Sequence, residues 1–166
     1  VKNNHLKLKD QNKTKIMEKT KMHTLSYDIE IKASKQKVWE ILWQKESYQA
    51  WTQFFSCSST MQSDWKVGGK TYFYDAKGDG MISIIERLDE PNVIIFKHIG
   101  MIRNGHEDTE SDEVKTWAGA LEKYMLFDLV DCTQVHVEVD IHPVYIEMLD
   151  QGFERGLAIV KQLAEQ

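Results

Sequence analysis

The chain has 166 residues, enough for one domain that buries a sizeable core without metal or disulfide support. Its formal charge of −5 conceals a split: residues 1–22 hold seven lysines against Asp10 and Glu18, or +5, leaving the remainder at −10 with 14 basic against 24 acidic residues. An acidic globular part argues against a nucleic-acid surface.

Residues 1–22 are rich in lysine and asparagine and lack a sustained apolar period, so we expect a disordered basic tail ahead of a domain spanning 23–166. We see no run of about 18 apolar residues and no apolar stretch behind a basic leader. Cys57 and Cys132 belong to no CxxC or Cys/His pattern. Hence we expect no membrane span, no secretory signal and a cytoplasmic setting.

From His23 to Ile31 the alternation of Leu25, Tyr27, Ile29 and Ile31 with polar residues predicts a half-buried strand. Ser34 is placed to cap a helix from Lys35 to about Gln44, with Val38, Trp39, Ile41, Leu42 and Trp43 inward. A second short helix or turn carries Tyr48, Trp51, Phe54 and Phe55, much aromatic surface for a connector. Asp64 to Gly69 is a turn, Lys70–Asp75 a strand, and Lys77 to Gly80 a hairpin into a strand over Met81–Leu88. After the turn at Asp89–Asn92 comes a strand over Val93–Met101, then a charged exposed loop, Arg103–Glu113.

Thr116–Val130 is long for a strand and its register is open: with odd positions inward, Lys123 interrupts an apolar face, and a bulge near Gly119 would shift the phase. Val135, Val137, Val139 and Ile141 alternate with His136, Glu138 and Asp140 in a clean strand. Pro143 opens a final amphipathic helix to Gln166, with Met148, Leu149, Phe153, Leu157, Val160 and Leu163 as its stripe. Gly152 and Gly156 lie on or beside that stripe, and each costs about 1 kcal/mol relative to alanine in a helix. Close packing on a sheet, the commoner use of such glycines, or volume kept for a ligand would account for them.

The order strand, helix pair, antiparallel strands, long helix resembles the helix-grip fold of the SRPBCC or START-like superfamily. Within it the chain is most similar to the domain family named for the activator of the 90-kDa heat-shock chaperone ATPase. The matching pieces are Ile31-Lys32-Ala33-Ser34 leading to Val38-Trp39, Trp51, Trp65-Lys66-Val67-Gly68-Gly69, Asp79-Gly80, Leu88-Asp89-Glu90-Pro91, the Trp117 to Tyr124 stretch and the closing helix. The resemblance covers residues 24–166. It implies an α+β fold in which a strongly curved antiparallel sheet of about six or seven strands wraps a long C-terminal helix, with two short helices after the first strand. It also implies a hydrophobic cavity between sheet and helix, used by members to bind lipids, sterols or polyketides and by a minority for cyclisation or hydrolysis. Thr52 stands where many relatives carry a second aromatic residue and Phe153 where many carry tryptophan, which implies a differently shaped cavity.

For binding, Trp51, Phe54, Phe55, Tyr72, Tyr74, Phe96, Trp117, Tyr124 and Phe153, with Gly152 and Gly156, supply an apolar wall with a few polar tips. The candidates for chemistry are few. His98 shares parity with Ile94 and Phe96 and could carry a proton, although a histidine satisfied by a neighbour is the commoner case. Glu86 and Glu122, if inward, could act as general bases; Lys123 is similar, while His136 and His142 are out of phase with the apolar positions. No HExxH, phosphate loop or dinucleotide fingerprint appears, and we expect neither cofactor nor metal. The expectation is therefore binding of a small hydrophobic molecule by a monomer or homodimer. A polyketide-cyclase- or hydrolase-like enzyme and a chaperone-related interaction module are the alternatives.

Overall fold

The structure, a computed structural model, describes residues 21–166. The expected tail lies, apart from Lys21 and Met22, outside the described residues.

Strand β1 (His23–Ile31) ends at a fully buried Ile31. The Ser34 hydroxyl then accepts the Lys37 amide at 3.2 Å and caps helix α1 (Lys35–Trp43). Extended Gln44 separates it from α2 (Lys45–Thr52). Next come β2 (Thr60–Ser63), β3 (Lys70–Tyr74), β4 (Gly80–Asp89), β5 (Val93–Arg103), β6 (His106–Asp108), α3 (Asp112–Lys115), β7 (Leu121–Leu129) and β8 (Cys132–Ile141). A 3₁₀ turn, Pro143–Tyr145, leads into α4 (Ile146–Ala164).

The strands form one antiparallel sheet in the order β1-β8-β7-β5-β4-β3-β2, with β6 paired beside the end of β5. This is the expected α+β arrangement with two more short strands. β2 and β6 hold four and three residues, too few for alternation to stand out from a polar loop. The long stretch from Thr116 also divides: Ser111 caps α3, Gly119 takes φ 95 in the turn, and the strand begins only at Leu121. Within β7 the inward residues are Tyr124 and Leu126, so the even positions face the core. Lys123 points away and pairs with Glu138 at 2.7 Å.

Helix α4 covers the β1 side of the sheet and packs on α1 and α2. Phe153, Leu157, Val160 and Ala164 are buried against Ile31, Val135, Val137 and Val139, each large side chain contributing about 1.5–3 kcal/mol by leaving water. Met148, expected in the stripe, is 46% exposed at the helix start. Lys161 donates to the Glu30 carbonyl at 2.6 Å, and Glu165 accepts the Lys32 amide at 2.8 Å, tying the helix end to β1. Two register shifts between β4 and β5, with Ile99 the extra residue on β5 and Glu86 the extra residue on β4, bend the sheet.

Candidate functional site

Three adjacent strands bring polar side chains together on the inner face. On β5, Ile94, Phe96 and His98 alternate inward, and on β7 Glu122 and Tyr124 do the same. On β4 Ser83 shares the parity of buried Ile85 and lies opposite His98 across the strands. The Ser83 hydroxyl lies 2.7 Å from His98 Nδ1, and His98 Nε2 lies 3.4 Å from Glu122 Oε2. Tyr124 donates its phenol to Glu122 Oε1. The direction of the bond between the Ser83 hydroxyl and Nδ1 follows the tautomer of the ring. Two hydrogen-bonded pairs, Ser83 with His98 and Tyr124 with Glu122, thus meet at the 3.4 Å contact between His98 Nε2 and Glu122 Oε2.

The set is dry at both ends, with Tyr124 1% exposed, and wettest between them. Ser83 is fully buried and His98 is 5% exposed, while the Glu122 side chain keeps 19% of its surface. Burial, reinforced by the Glu122 charge, drives the Tyr124 phenol far above its ordinary range, and the same two causes in the same order raise Tyr48. Both phenols therefore remain neutral donors at any ordinary pH.

Around this set the wall is aromatic. Phe73 meets Phe96 at 5.2 Å and His98 at 6.5 Å between ring centroids, and Trp43 meets Phe96 at 5.6 Å and Tyr124 at 4.9 Å. Toward α4 the set continues through Trp51, Phe55 and Phe153, with Phe55 and Phe153 4.9 Å apart. A Cβ at Gly152 would sit 2.4 Å from the Phe55 ring, and one at Gly156 would sit 2.7 Å from the Trp51 carbonyl oxygen. These glycines therefore admit α2 to the helix, and the volume next to them is filled by aromatic rings.

Of the expected site residues, Trp51, Phe55, Phe96, His98, Glu122, Tyr124, Gly152, Phe153 and Gly156 share this inner face. Others leave it for identifiable reasons. Tyr72 and Tyr74 have the opposite parity to buried Thr71, so they stack on each other outside at 5.7 Å, with the Tyr72 phenol on Glu107 at 2.5 Å. Glu86 is exposed and faces Lys97 at 3.4 Å. Phe54 lines a surface groove of about 380 Å³ with Val144, Glu147, Met148, Gln151 and Arg155. Trp117 is half-buried in the turn after α3, its amide bonded to the Val114 carbonyl at 3.1 Å. Trp43, Phe73 and Ser83 were missed as site residues. Parity with Thr71 would have found Phe73 and parity with Ile85 would have found Ser83, but the extra residue Ile99 on β5, which sets His98 opposite Ser83, is announced by no local residue.

Among the described residues no three His, Cys, Asp or Glu side chains gather as they would around a metal ion. Cys57 and Cys132 are free thiols. No helix among the described residues is long and apolar enough to cross a membrane.

Residues 32–116 match the family described as Activator of Hsp90 ATPase homolog 1-like protein. No curated protein matches in sequence. Among solved structures, the Aha1 dimer from Colwellia psychrerythraea superposes with a TM-score of 0.62 at 18% identity, covering 87% of this chain and 97% of that one. Protein NE0264 from Nitrosomonas europaea gives 0.63 at 15% identity over 86% and 94%. CalU16 from Micromonospora echinospora gives 0.60 at 13% identity over 89% and 80%.

Proposed function

The chain belongs to the family of Activator of Hsp90 ATPase homolog 1-like proteins, and from that premise we propose that it binds a small apolar or aromatic molecule on the inner face between curved sheet and C-terminal helix. One observation carries the reading: the adjoining polar groups Ser83, His98, Glu122 and Tyr124 are set into a wall of Phe73, Phe96 and Trp43. Small-molecule sites have this composition, mostly aromatic with a few placed polar groups. An all-apolar core of the same shape would be at least as stable, so four polar groups kept there call for a use.

Native mass spectrometry of the protein isolated from its host tests the reading, with 1-acetylnaphthalene and 1-ethylnaphthalene as added probes in a thermal-shift titration. A retained organic mass lost on denaturation, or a melting temperature that rises with either probe, is the expected result. Neither mass nor shift would reject it.

A second reading, acid–base catalysis on the same face, is favoured by the contact of His98 with both Ser83 and Glu122. It predicts turnover of aromatic esters above background that His98→Asn abolishes in a folded protein. Background turnover by the unaltered protein would remove hydrolysis.

A further inference from the structure

The Trp43 indole is 8% exposed, and its Nε1 is the one buried side-chain nitrogen or oxygen among the described residues without a hydrogen-bond partner. The neighbouring Trp51, equally interior, spends its Nε1–H on the Leu42 carbonyl at 3.0 Å. A native core rarely leaves such a donor unused.

Trp43 also stands where rings converge: Tyr124 at 4.9 Å, Phe96 at 5.6 Å, Trp65 at 6.0 Å and Trp39 at 6.1 Å. The outermost of these is Trp65, 36% exposed, in the turn between β2 and β3. Its φ is 55, a left-handed conformation rare for so bulky a side chain and met where the surroundings impose it, often at ligand clamps. Here the imposing bonds are the Trp65 amide to Ser63 Oγ at 3.1 Å, the Lys66 amide to Asp64 Oδ1 at 3.2 Å and the Gly68 amide to the Ile85 carbonyl at 2.8 Å. A short turn thus presses an exposed tryptophan edge-on against the ring that carries the unused donor.

We propose that Trp43 Nε1–H binds an oxygen acceptor of a flat aromatic ligand seated among these rings, with Trp65 as the cover that moves to admit it. The inference rests on the ligand-binding reading above and deepens it by naming the ligand class. Tyr124, in contact with Trp43, is bonded to the Glu122 carboxylate, and the domain beyond residue 22 is net negative. Both disfavour an anion, so the acceptor is a neutral oxygen such as a ketone, quinone or ether, and not a carboxylate or phosphate.

The test compares two probes of nearly equal shape, 1-acetylnaphthalene with a carbonyl and 1-ethylnaphthalene without one. By tryptophan quenching, Trp43→Phe should weaken the ketone about tenfold while leaving the hydrocarbon within about twofold. Equal effects on both probes, or none on either, overturn the donor role while leaving ligand binding intact. Binding of neither probe to the unaltered protein rejects this inference, and the ligand-binding reading falls with it when no retained mass is found either. In case Trp43→Phe fails to fold, the Trp43 indole N–H resonance of the ¹⁵N-labelled unaltered protein decides: it should move downfield with the ketone and not with the hydrocarbon. Trp65→Gly should speed ketone association severalfold in stopped flow, and an unchanged rate would remove the cover.

Discussion

Gly152 and Gly156 lie one turn apart on α4, yet an added methyl group meets different neighbours. At Gly156 it would sit 2.7 Å from the Trp51 carbonyl oxygen and 3.1 Å from Trp51 Cε3, and backbone gives way only at a cost. At Gly152 it would meet the ring of half-buried Phe55 at 2.4 Å, a side chain able to swing aside. Alanine gains about 1 kcal/mol of helix propensity at either position. Gly156→Ala should nevertheless lose about 1–3 kcal/mol in urea denaturation through overpacking, and Gly152→Ala distinctly less. Equal losses would mean that the two helices part as rigid bodies. The polar set makes a second demand on single residues. Ser83→Ala leaves His98 Nδ1 buried without its partner and should cost about 1–3 kcal/mol. Combined with Glu122→Gln, the loss should differ from the sum, because both residues touch His98. Simple additivity would show the four groups to be independent.

Between elements, the pairing of β1 with β8 carries a pH dependence on its outer face. Asp28 and His136 are opposite one another, their side chains 2.8 Å apart, with Gln134 donating to Asp28 at 3.0 Å and Glu138 3.5 Å from the far ring nitrogen. The bond to Asp28 is the main cause holding His136 above its ordinary pKa, and the bond to His136 is the main cause holding Asp28 below its own. A raised histidine stabilises fully below about pH 6.5, and that contribution disappears as pH rises through its folded value. A depressed aspartate stabilises above about pH 4 and loses its contribution as pH falls through its folded value. Asp28→Asn should therefore destabilise most between roughly pH 4 and 6.5 and have little effect at pH 9. Urea midpoints at several pH values, with a proton NMR titration of His136 moving to lower pH in the variant, check this.

These two strands were legible because one face of each meets the core and the other meets water, so polarity alternates. β7 was not, because both of its faces carry apolar residues: Tyr124 and Leu126 are buried, whereas Phe127 and Leu129 are 49% and 42% exposed. Only its place between β8 and β5 decides which set goes inward. The site divides in the same way. His98 could be found from its phase with Ile94 and Phe96, but Tyr72 and Tyr74 looked like wall residues until the parity of Thr71 and Phe73 placed them outside. Ser83 has the parity of Ile85, whereas its pairing with His98 depends on the extra residue Ile99 in β5, which leaves no trace in local composition.

At the scale of the whole molecule the inner face has two regions that differ in how their side chains are satisfied. Beneath α4, Trp51, Phe55 and Phe153 occupy the volume beside the glycines, whereas the region of Trp43 keeps an unused donor and an exposed cover. Removing the Phe55 ring should therefore create a new apolar void without touching the other region. Phe55→Ala is expected to lose about 2–4 kcal/mol, the usual cost of emptying such a position. Toluene should then raise its melting temperature, as a ligand that binds only the folded state must, while leaving the unaltered protein's unchanged. Affinity for 1-acetylnaphthalene at Trp43 should stay within about twofold, since distant sites act independently. If toluene has no effect on the variant, α4 has settled onto the sheet and the void has closed. If instead the ketone's affinity falls together with the stability, the two regions form one compartment, and the aromatic chain from Phe153 through Trp51 and Tyr124 to Trp43 is the physical route by which they are coupled.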